Sequence, residues 1–253
     1  MTINKDLKTK LRELKIPEAI DFLEANNNTN EFNEISFETQ LELLLEDAIS
    51  KKNANRIKKY INGAKFSIKS ATMENIQYEG REIDKREIQR LATNNYIANH
   101  INLLISGPTG CGKTWMACAL GNKACRSLIR TRYIRMQTLL EIVKNAKLTN
   151  RQSTNITKFG NYDLLIIDEW LLRKINDEEI NIIFEILERR VNKTTIVCTQ
   201  YEVGDWMTMM KVNPISDSII SRISDCSIPI RLDDTNMREA HGKKVLARYN
   251  SLN

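Results

Sequence analysis

The sequence predicts an α/β fold with a parallel sheet, and two patterns indicate it. From about residue 100 onward, short apolar runs typical of buried strands alternate with stretches of helical periodicity. A glycine-rich turn joins the first of these runs to the helix that follows it. Strands separated by helices favour a parallel sheet covered by helices, with a ligand site at the carboxyl ends of its strands.

Residues 1–68 are predicted to form a small helical domain that precedes the sheet-containing domain at 69–253. Apolar residues at helical spacing run from 5 to 25, and Pro17 marks an interruption or a new helix start. A second amphipathic helix begins near Ser36 and is expected to end near Gly63, because glycine commonly follows a helix C-terminus.

In the second domain, the pattern predicts a helix around 84–97 and then alternating strands and helices. The strands are expected at residues 101–106, 131–135, 163–167, 194–198 and 227–231. The helices are expected at residues 113–127, 137–146, 177–191, 217–223 and 235–249. A chain of 253 residues is long enough for one such α/β domain plus a small appendage.

The turn after the first strand carries the strongest chemical signal in the chain. It reads Gly-Pro-Thr-Gly-Cys-Gly-Lys-Thr and fits G-x-x-x-x-G-K-[ST], the phosphate-binding loop of nucleoside triphosphatases. Glycines let backbone N–H groups point at a phosphate, and the following helix adds its positive dipole end. A glycine turn that binds nothing is disfavoured, because the match lies where a strand should feed a helix. The residues expected to bind the nucleotide are Gly107, Pro108, Thr109, Gly110, Cys111, Gly112, Lys113 and Thr114.

Two carboxylates end the strand predicted at 163–167, and they suggest what happens to the nucleotide. Lys113 can reach the β- and γ-phosphates and the Thr114 hydroxyl can hold Mg²⁺. Asp168 would support that Mg²⁺, and Glu169 could orient and deprotonate the attacking water. A carboxylate pair could also be a solvated turn, but its place after the phosphate loop favours a metal ligand and a base. Hydrolysis is therefore favoured over binding alone.

Two later residues could complete this site. Gln200 lies two residues after the strand predicted at 194–198, where it could hold the attacking water or contact the γ-phosphate, or simply cap the strand. Arg222 lies on a short predicted helix, and a guanidinium suits the charge that develops on a transferring phosphoryl group. A surface ion pair is the alternative for Arg222. If it cannot reach its own site, catalysis requires a neighbouring subunit.

The composition narrows the class of protein. Hydrophobic residues make up 42% and charged residues 28% of the chain, as in soluble globular proteins. Apolar stretches stay well short of the ~20 residues that a membrane span needs, and the N-terminus lacks a signal-peptide core. Five cysteines without a C-x-x-C pair and two histidines disfavour a zinc site and a histidine-based catalytic centre. We expect reduced thiols in a cytoplasmic protein.

The net charge of +6 is unevenly distributed. Residues 16–50 contain nine acidic and no basic side chains, whereas residues 51–69 contain seven basic and no acidic ones. Residues 122–158 carry nine Lys or Arg residues against the single acidic Glu141. Basic blocks of this size suit a nucleic-acid backbone. They could instead be solvated helix faces, some of them paired with acidic side chains inside the protein.

The order of phosphate loop, Asp-Glu strand, polar strand end and Arg-bearing helix resembles the AAA+ ATPases. The sequence of several stretches is similar to that of IstB-type transposition helper ATPases, which are relatives of the DnaC helicase loaders. The similar stretches are residues 11–17, 36–45, 107–114, 163–171 and 213–223. This resemblance implies a P-loop AAA+ core behind a small helical domain, without a separate lid domain.

The resemblance also implies roles for individual residues. Lys113, Thr114, Asp168 and Glu169 take the roles given above, with ATP and Mg²⁺ as the cofactors. It further implies Gln200 as the γ-phosphate sensor and Arg222 as an arginine finger supplied in trans within a homo-oligomer. Arg238 lies where relatives carry a basic residue, and a nucleotide contact from it is a further hypothesis. Cys111 replaces the more usual Thr, Val or Ser, and we expect its alkylation to block ATP binding.

The leading functional hypothesis is an ATP-dependent helper of an insertion-sequence transposase that binds double-stranded DNA. The resemblance implies that the ATPase prepares or selects the target site and that its cognate transposase stimulates hydrolysis. The acidic N-terminal block could dock that partner, or it could neutralise a basic face within the oligomer. Base-reading motifs are not recognisable, and backbone and shape contacts would suffice.

Two other classes remain open from the sequence. A replicative helicase loader would share the nucleotide site but prefer single-stranded DNA, which binds best on stacked aromatic side chains. Aromatic residues make up only 6% of the chain, which disfavours that reading. A catalytically silent, nucleotide-dependent scaffold is the third class, and the presence of Glu169 argues against it.

Overall fold

The computed structural model describes residues 3–26 and 28–250 of the chain. The chain divides into two compact units, Met1–Lys59 and Tyr60–Asn253, and the division falls inside one long helix. None of the helices in the described ranges combines the length and the apolarity that a membrane span requires.

The first unit is helical. Its elements are α1 (Lys5–Glu13), α2 (Glu18–Asn26), α3 (Asn30–Glu34) and the N-terminal part of α4 (Phe37–Ala64). Pro17 lies between α1 and α2, which is the interruption that the sequence predicts. A small apolar core stabilises the unit, and its buried members are Ile3, Leu11, Ala19, Ile20, Leu44 and Ala48.

The second unit holds the sheet. Its strands are β1 (Asn102–Ser106), β2 (Thr131–Arg135), β3 (Leu164–Trp170), β4 (Thr194–Thr199) and β5 (Ser227–Arg231). Its helices are α5 (Lys85–Leu91), α6 (Asn95–Ala98), α7 (Lys113–Arg126), α8 (Met136–Lys147), α9 (Gln152–Gly160), α10 (Asp177–Glu188), α11 (Trp206–Met209), α12 (Pro214–Ser224) and α13 (Met237–Asn250). Short 3₁₀ turns lie at Met73–Asn75 and Val203–Asp205.

All five strands are parallel and follow the order β2-β3-β4-β1-β5, which confirms the predicted α/β fold. Alternate residues of β1 and β3 face two separate apolar cores, because successive side chains of a strand point to opposite sides of the sheet. Leu103, Ile105, Leu164 and Ile166 pack on the side of α7, whereas Leu104, Leu165 and Ile167 pack on the side of α8, α10 and α12. The carboxyl ends of β1, β3 and β4 therefore meet at one edge, beneath the phosphate loop.

The structure corrects three element predictions. The helix expected at 84–97 is divided into α5 and α6, because Asn94 adopts a left-handed φ of 61° between them. The helix α9 begins within the second basic block, residues 122–158, where no helix was predicted, and Ile156 and Phe159 anchor it in the core. The strand expected at 163–167 continues to Trp170 through an irregularity that shifts its register against β4.

Candidate nucleotide-binding site

The phosphate loop adopts a backbone that only glycine tolerates at several positions. Gly107, Gly110 and Gly112 have φ values of 147°, 90° and 103°. A methyl group at Gly107 would lie 2.7 Å from the carbonyl oxygen of Leu232, and one at Gly110 would lie 2.5 Å from Oδ1 of Asn236. Gly107 and Gly110 are thus required both by backbone conformation and by the close packing of the chain that follows β5, whereas Gly112 is required by its backbone conformation.

A cavity of about 740 Å³ opens beside this loop at the carboxyl edge of the sheet. Most of the residues expected from the sequence form its wall, namely Thr109, Gly110, Gly112, Lys113, Thr114, Asp168, Glu169 and Gln200. Arg238, at the start of α13, lies on the same wall. Its volume falls in the range of small-molecule and cofactor pockets. The geometry therefore brings together a phosphate loop, two carboxylates and an amide around one ligand-sized space.

Lys113 opens the helix α7 directly after the phosphate loop. Its ammonium donates hydrogen bonds to the carbonyl oxygens of Gly107 (2.6 Å) and Pro108 (2.7 Å). The lysine is therefore folded over the loop that would hold the phosphates, at the positive end of the α7 dipole. A phosphate in the loop would offer this ammonium a charged acceptor in place of two neutral carbonyls.

Asp168 is a buried carboxylate whose side chain is surrounded by donors. Its Oδ2 accepts hydrogen bonds from the hydroxyls of Thr114 and Tyr133, each at 2.7 Å. Its Oδ1 accepts one from the backbone N–H of Glu169 at 2.9 Å. These three bonds explain how a carboxylate that is 3% exposed is accommodated. The hydroxyl oxygen of Thr114 and the carboxylate of Asp168 thus lie in contact, and oxygen atoms of this kind are those that Mg²⁺ prefers.

Tyr133 was not anticipated from the sequence. It lies on β2, next to β3 in the sheet, and its side chain is buried. Burial and the neighbouring Asp168 raise the pKa of Tyr133, so the phenol keeps its proton and remains a donor to the carboxylate. Only the pairing of β2 with β3 brings the two side chains together, and the sequence pattern does not specify which strands pair.

Glu169 lies on a β-bulge. The register of β3 against β4 passes from Ile167 opposite Val197 to Trp170 opposite Thr199, so one residue is extra on β3. Glu169 itself has a left-handed φ of 56°. Bulges commonly re-aim side chains beside functional sites, and this one places the Asp168 and Glu169 side chains on the same cavity wall.

Arg135, the last residue of β2, is the second unanticipated neighbour. Its Nε lies 3.5 Å from Oε1 of Glu169, and both side chains are substantially exposed. The negative charge of Glu169 raises the pKa of Arg135. The carboxylate expected to act as a base is therefore engaged by a cation in this structure.

The structure places the two later candidates differently. The side chain of Gln200 accepts a hydrogen bond from the Thr109 hydroxyl at 3.1 Å, which links the end of β4 to the phosphate loop. Arg222 is outside the cavity wall and forms an ion pair with Glu188 at the end of α10. Its guanidinium also lies 5.0 Å from the ring centre of Phe184. The Arg222 of the same subunit is thus held away from the cavity.

The burial of Cys111 bears on how readily it can be alkylated, while the expectation that its alkylation blocks ATP binding stays a prediction. The residue is 1% exposed, and its Sγ packs beneath Gly107 instead of lining the cavity. Of the cysteines in the described part of the chain, Cys226 alone is exposed. An alkylating reagent should therefore modify Cys226 first, and Cys111 is shielded by the loop that contains it.

Together, the parallel sheet, the phosphate loop and the carboxylates at the end of β3 define a P-loop nucleotide-binding protein. The chain belongs to the family of IstB-like ATP binding proteins, whose family model matches residues 9–245. It is 29% identical over 229 residues to an insertion-sequence ATP-binding protein of Sinorhizobium fredii, covering 90% of this chain and 92% of that protein.

Two further comparisons agree with this assignment. The ATP-binding protein of insertion sequence IS1162 from Pseudomonas fluorescens is 33% identical over 168 residues, which cover 66% of this chain and 73% of that one. The crystal structure of the DnaC helicase loader superposes with a TM-score of 0.55 at 17% identity. That superposition covers 70% of this chain and 99% of the loader, and it shows a shared fold.

Proposed function

We propose that this protein is a Mg²⁺-dependent ATPase that binds double-stranded DNA as the helper of an insertion-sequence transposase. The contact of Thr114 with Asp168, beside Glu169 and beneath the phosphate loop, is the observation that carries the proposal. The names of the relatives, which are insertion-sequence ATP-binding proteins, support the biological setting.

Hydrolysis would use the chain's own groups in a simple order. Lys113 exchanges its loop carbonyls for phosphate oxygens and stabilises their charge. Glu169 orients a water molecule and takes its proton as the water oxygen bonds to the γ-phosphorus. The bond from that phosphorus to the bridging oxygen breaks, and ADP leaves. Gln200, held by Thr109, would contact the γ-phosphate or the attacking water.

Thr114 and Asp168 would hold Mg²⁺, which supplies charge neutralisation for the phosphates when bound. Their oxygens are already in contact, so little rearrangement is needed to present them to one cation. Tyr133 donates to the same Oδ2 of Asp168 as Thr114 and would help to keep the carboxylate in place.

Part of the second basic block is neutralised within the protein and is excluded from the DNA-binding proposal. Lys144 and Lys147 on α8 pair with Glu179 (3.4 Å) and Glu178 (3.0 Å) on α10. Arg135 pairs with Glu169. The alternative of internal pairing therefore applies to these three cations.

The other basic side chains support DNA binding, because the fold brings two distant segments together. Arg132 donates to the carbonyl oxygen of Gly63 at 3.3 Å, and the ring of Phe66 packs tightly on Gly121. Lys65 and Lys69 flank Phe66 in sequence, while Lys123 and Arg126 follow Gly121 on α7. We define these as the basic face: Lys65, Lys69, Lys123, Arg126 and Arg132. We infer that it contacts the phosphate backbone without reading bases.

The same proposal includes a homo-oligomeric assembly and an interaction with the transposase. Because Arg222 is paired outside its own cavity, we infer that it reaches the site of a neighbouring subunit in a homo-oligomer. We assign the acidic side chains of residues 16–50 to docking of a positively charged surface, either of the cognate transposase or of a second subunit.

The decisive experiment measures the anisotropy of labelled double-stranded and matched single-stranded DNA with ATP, with ADP and without nucleotide. We expect tight, salt-sensitive, ATP-dependent binding to the duplex that is lost in Lys113→Ala. Preference for single strands would favour a helicase loader instead, and absence of DNA binding in every nucleotide state would reject the DNA proposal.

A second measurement separates an ATPase from a nucleotide-dependent scaffold. Glu169→Gln keeps the size of the side chain but removes the base, so turnover should fall by roughly 10²–10⁴-fold while ATP binding persists. Equal phosphate release by the variant and the wild type would exclude Glu169 as the base.

A further inference from the structure

Arg81 is a buried cation on the wall of the nucleotide cavity that the proposed mechanism does not use. Its side chain is 7% exposed, although the residue lies in the irregular segment before α5. Its Nη2 donates to the carbonyl oxygen of Cys111 in the phosphate loop at 2.7 Å. Within the described residues, its Nε has no hydrogen-bond partner, although it is 3.5 Å from Oδ1 of Asp233. An arginine is rarely buried in this way unless it is paired.

Asp233 is the carboxylate that faces Arg81, and it follows β5 by two residues. It accepts hydrogen bonds from the backbone N–H groups of Glu82 (2.9 Å) and Thr235 (3.1 Å). The Arg81–Asp233 pair therefore joins three separate parts of the chain. These are the segment before α5, the phosphate loop and the residues between β5 and α13.

Residues 232–237, which we call the strap, lie directly against the phosphate loop. The N–H of Leu232 donates to Ser106 (2.9 Å) and that of Met237 donates to Gly110 (3.0 Å). The side chain of Asn236 covers Gly110 so closely that a methyl group could not be added there. The strap leads into α13, which carries Arg238 to the cavity wall. Movement of the strap would consequently alter the loop and the cavity together.

We infer that Arg81 and Asp233 form a clamp that positions the phosphate loop and the strap for nucleotide binding. This inference rests on the proposed ATP site and adds a pair of positioning residues to it. The clamp acts on the carbonyl of Cys111, whereas Lys113, Thr114 and Asp168 are the groups assigned to the terminal phosphates and Mg²⁺. Loss of the clamp should therefore weaken the binding of ATP and the binding of ADP by the same factor.

The test measures dissociation constants of fluorescent mant-ATP and mant-ADP for the wild type, Arg81→Met, Asp233→Asn and the double variant. In each single variant, the dissociation constants of both nucleotides should rise about tenfold, as expected for the loss of a charged hydrogen bond in a buried site. The double variant should be no weaker than the poorer single variant, because the two residues act as one unit. Arg90→Met, which removes an exposed arginine of α5 that has no assigned role, is the matched control.

Three results in this binding series would overturn the clamp. They are unchanged affinities in Arg81→Met, losses that multiply in the double variant, and a loss confined to ATP. The last result would instead place Arg81 on the γ-phosphate. Because Asp233→Asn is nearly isosteric, it tests the clamp even if Arg81→Met does not fold.

A readout without nucleotide separates this inference from the proposed function. Hydrogen exchange of peptides covering the strap should become roughly tenfold faster in Asp233→Asn and Arg81→Met than in the wild type or Arg90→Met. Unchanged exchange would reject the clamp. If the wild type binds neither nucleotide and the variants still exchange faster than the wild type, the clamp is retained and the ATP site is rejected.

Discussion

Tyr133 and Asp168 share a hydrogen bond of 2.7 Å between adjacent strands of the sheet. Two residues further along β2, Arg135 pairs with Glu169. Each carboxylate at the end of β3 therefore has its own partner on β2. The partner of Asp168 is buried and neutral and supports the carboxylate that we propose binds the metal. The partner of Glu169 is exposed and charged and engages the carboxylate that we propose acts as the base.

Tyr133→Phe should lower the apparent affinity for Mg²⁺ without unfolding the protein. The change removes one of three donors to Asp168 and leaves the ring in the core, so the carboxylate is held less precisely. We expect the Mg²⁺ concentration for half-maximal mant-ATP binding to rise by roughly 3–10-fold, the equivalent of one hydrogen bond. Tyr162→Phe is the control, and an unchanged Mg²⁺ titration in Tyr133→Phe would contradict the role.

Arg135→Gln should raise the basal rate of ATP hydrolysis in the absence of DNA. The ion pair that holds Glu169 is exposed on both sides, so it contributes at most about 1 kcal/mol and the increase should not exceed about fivefold. The rate is measured by phosphate release at low salt, with Arg151→Gln as the control. A basal rate below that of the wild type would indicate that Arg135 orients Glu169 productively.

Arg222→Ala and Lys113→Ala should each abolish turnover, and mixing the two inactive proteins should restore part of it. In a random mixture, about a quarter of the interfaces combine an intact phosphate loop with an intact arginine from the next subunit. Glu188→Gln is the control, since it breaks the pair within the subunit and leaves Arg222 available. If mixing restores no activity, Arg222 does not act in trans.

Glu179→Gln should destabilise the second unit in a manner that depends on pH. The guanidinium of Arg173 and the N–H of Asn176 lower the pKa of Glu179 to about 2, against the opposing effect of burial. A lowered pKa in the folded state contributes stability that is complete above the unfolded value, near 4.5, and is lost as pH falls toward 2.

At pH 7, the free energy of unfolding of Glu179→Gln should therefore be lower than that of the wild type by on the order of 2 kcal/mol. Urea titrations at pH 7 and at pH 3 should show this difference shrinking at the lower pH. Glu178→Gln, on the exposed neighbouring position, is the control. A difference that stays constant with pH would show that shape, and not charge, is what Glu179 contributes.

Much of the fold could be predicted from local pattern. The strands β2 and β5 have the predicted bounds, and β1 and β4 differ by one residue at one end, because buried apolar runs and their flanking turns specify them locally. The phosphate loop was predictable for a similar reason, since its motif is contiguous. Its conformation follows from glycines that are visible in the sequence.

The remaining features depend on contacts between distant residues. Tyr133 and Asp168 are 35 residues apart, and Arg81 and Asp233 are further apart still, so spacing in the sequence does not reveal either pair. The bulge at Glu169 arises from pairing with β4, and the burial of Cys111 arises from packing beneath Gly107. These are tertiary properties, and local patterns carry no information about them.

The left-handed backbone at Glu169 has an evolutionary consequence. A side chain with a Cβ is disfavoured in that conformation by about 1 kcal/mol, whereas glycine or asparagine adopts it readily. A lineage released from the need to split ATP would gain stability by exchanging this glutamate, and selection for stability should then favour that exchange. Under the proposed function, a carboxylate retained at so unfavourable a backbone position would be a mark of selection for turnover. Relatives with glycine or asparagine here should be expected to bind nucleotide and keep it.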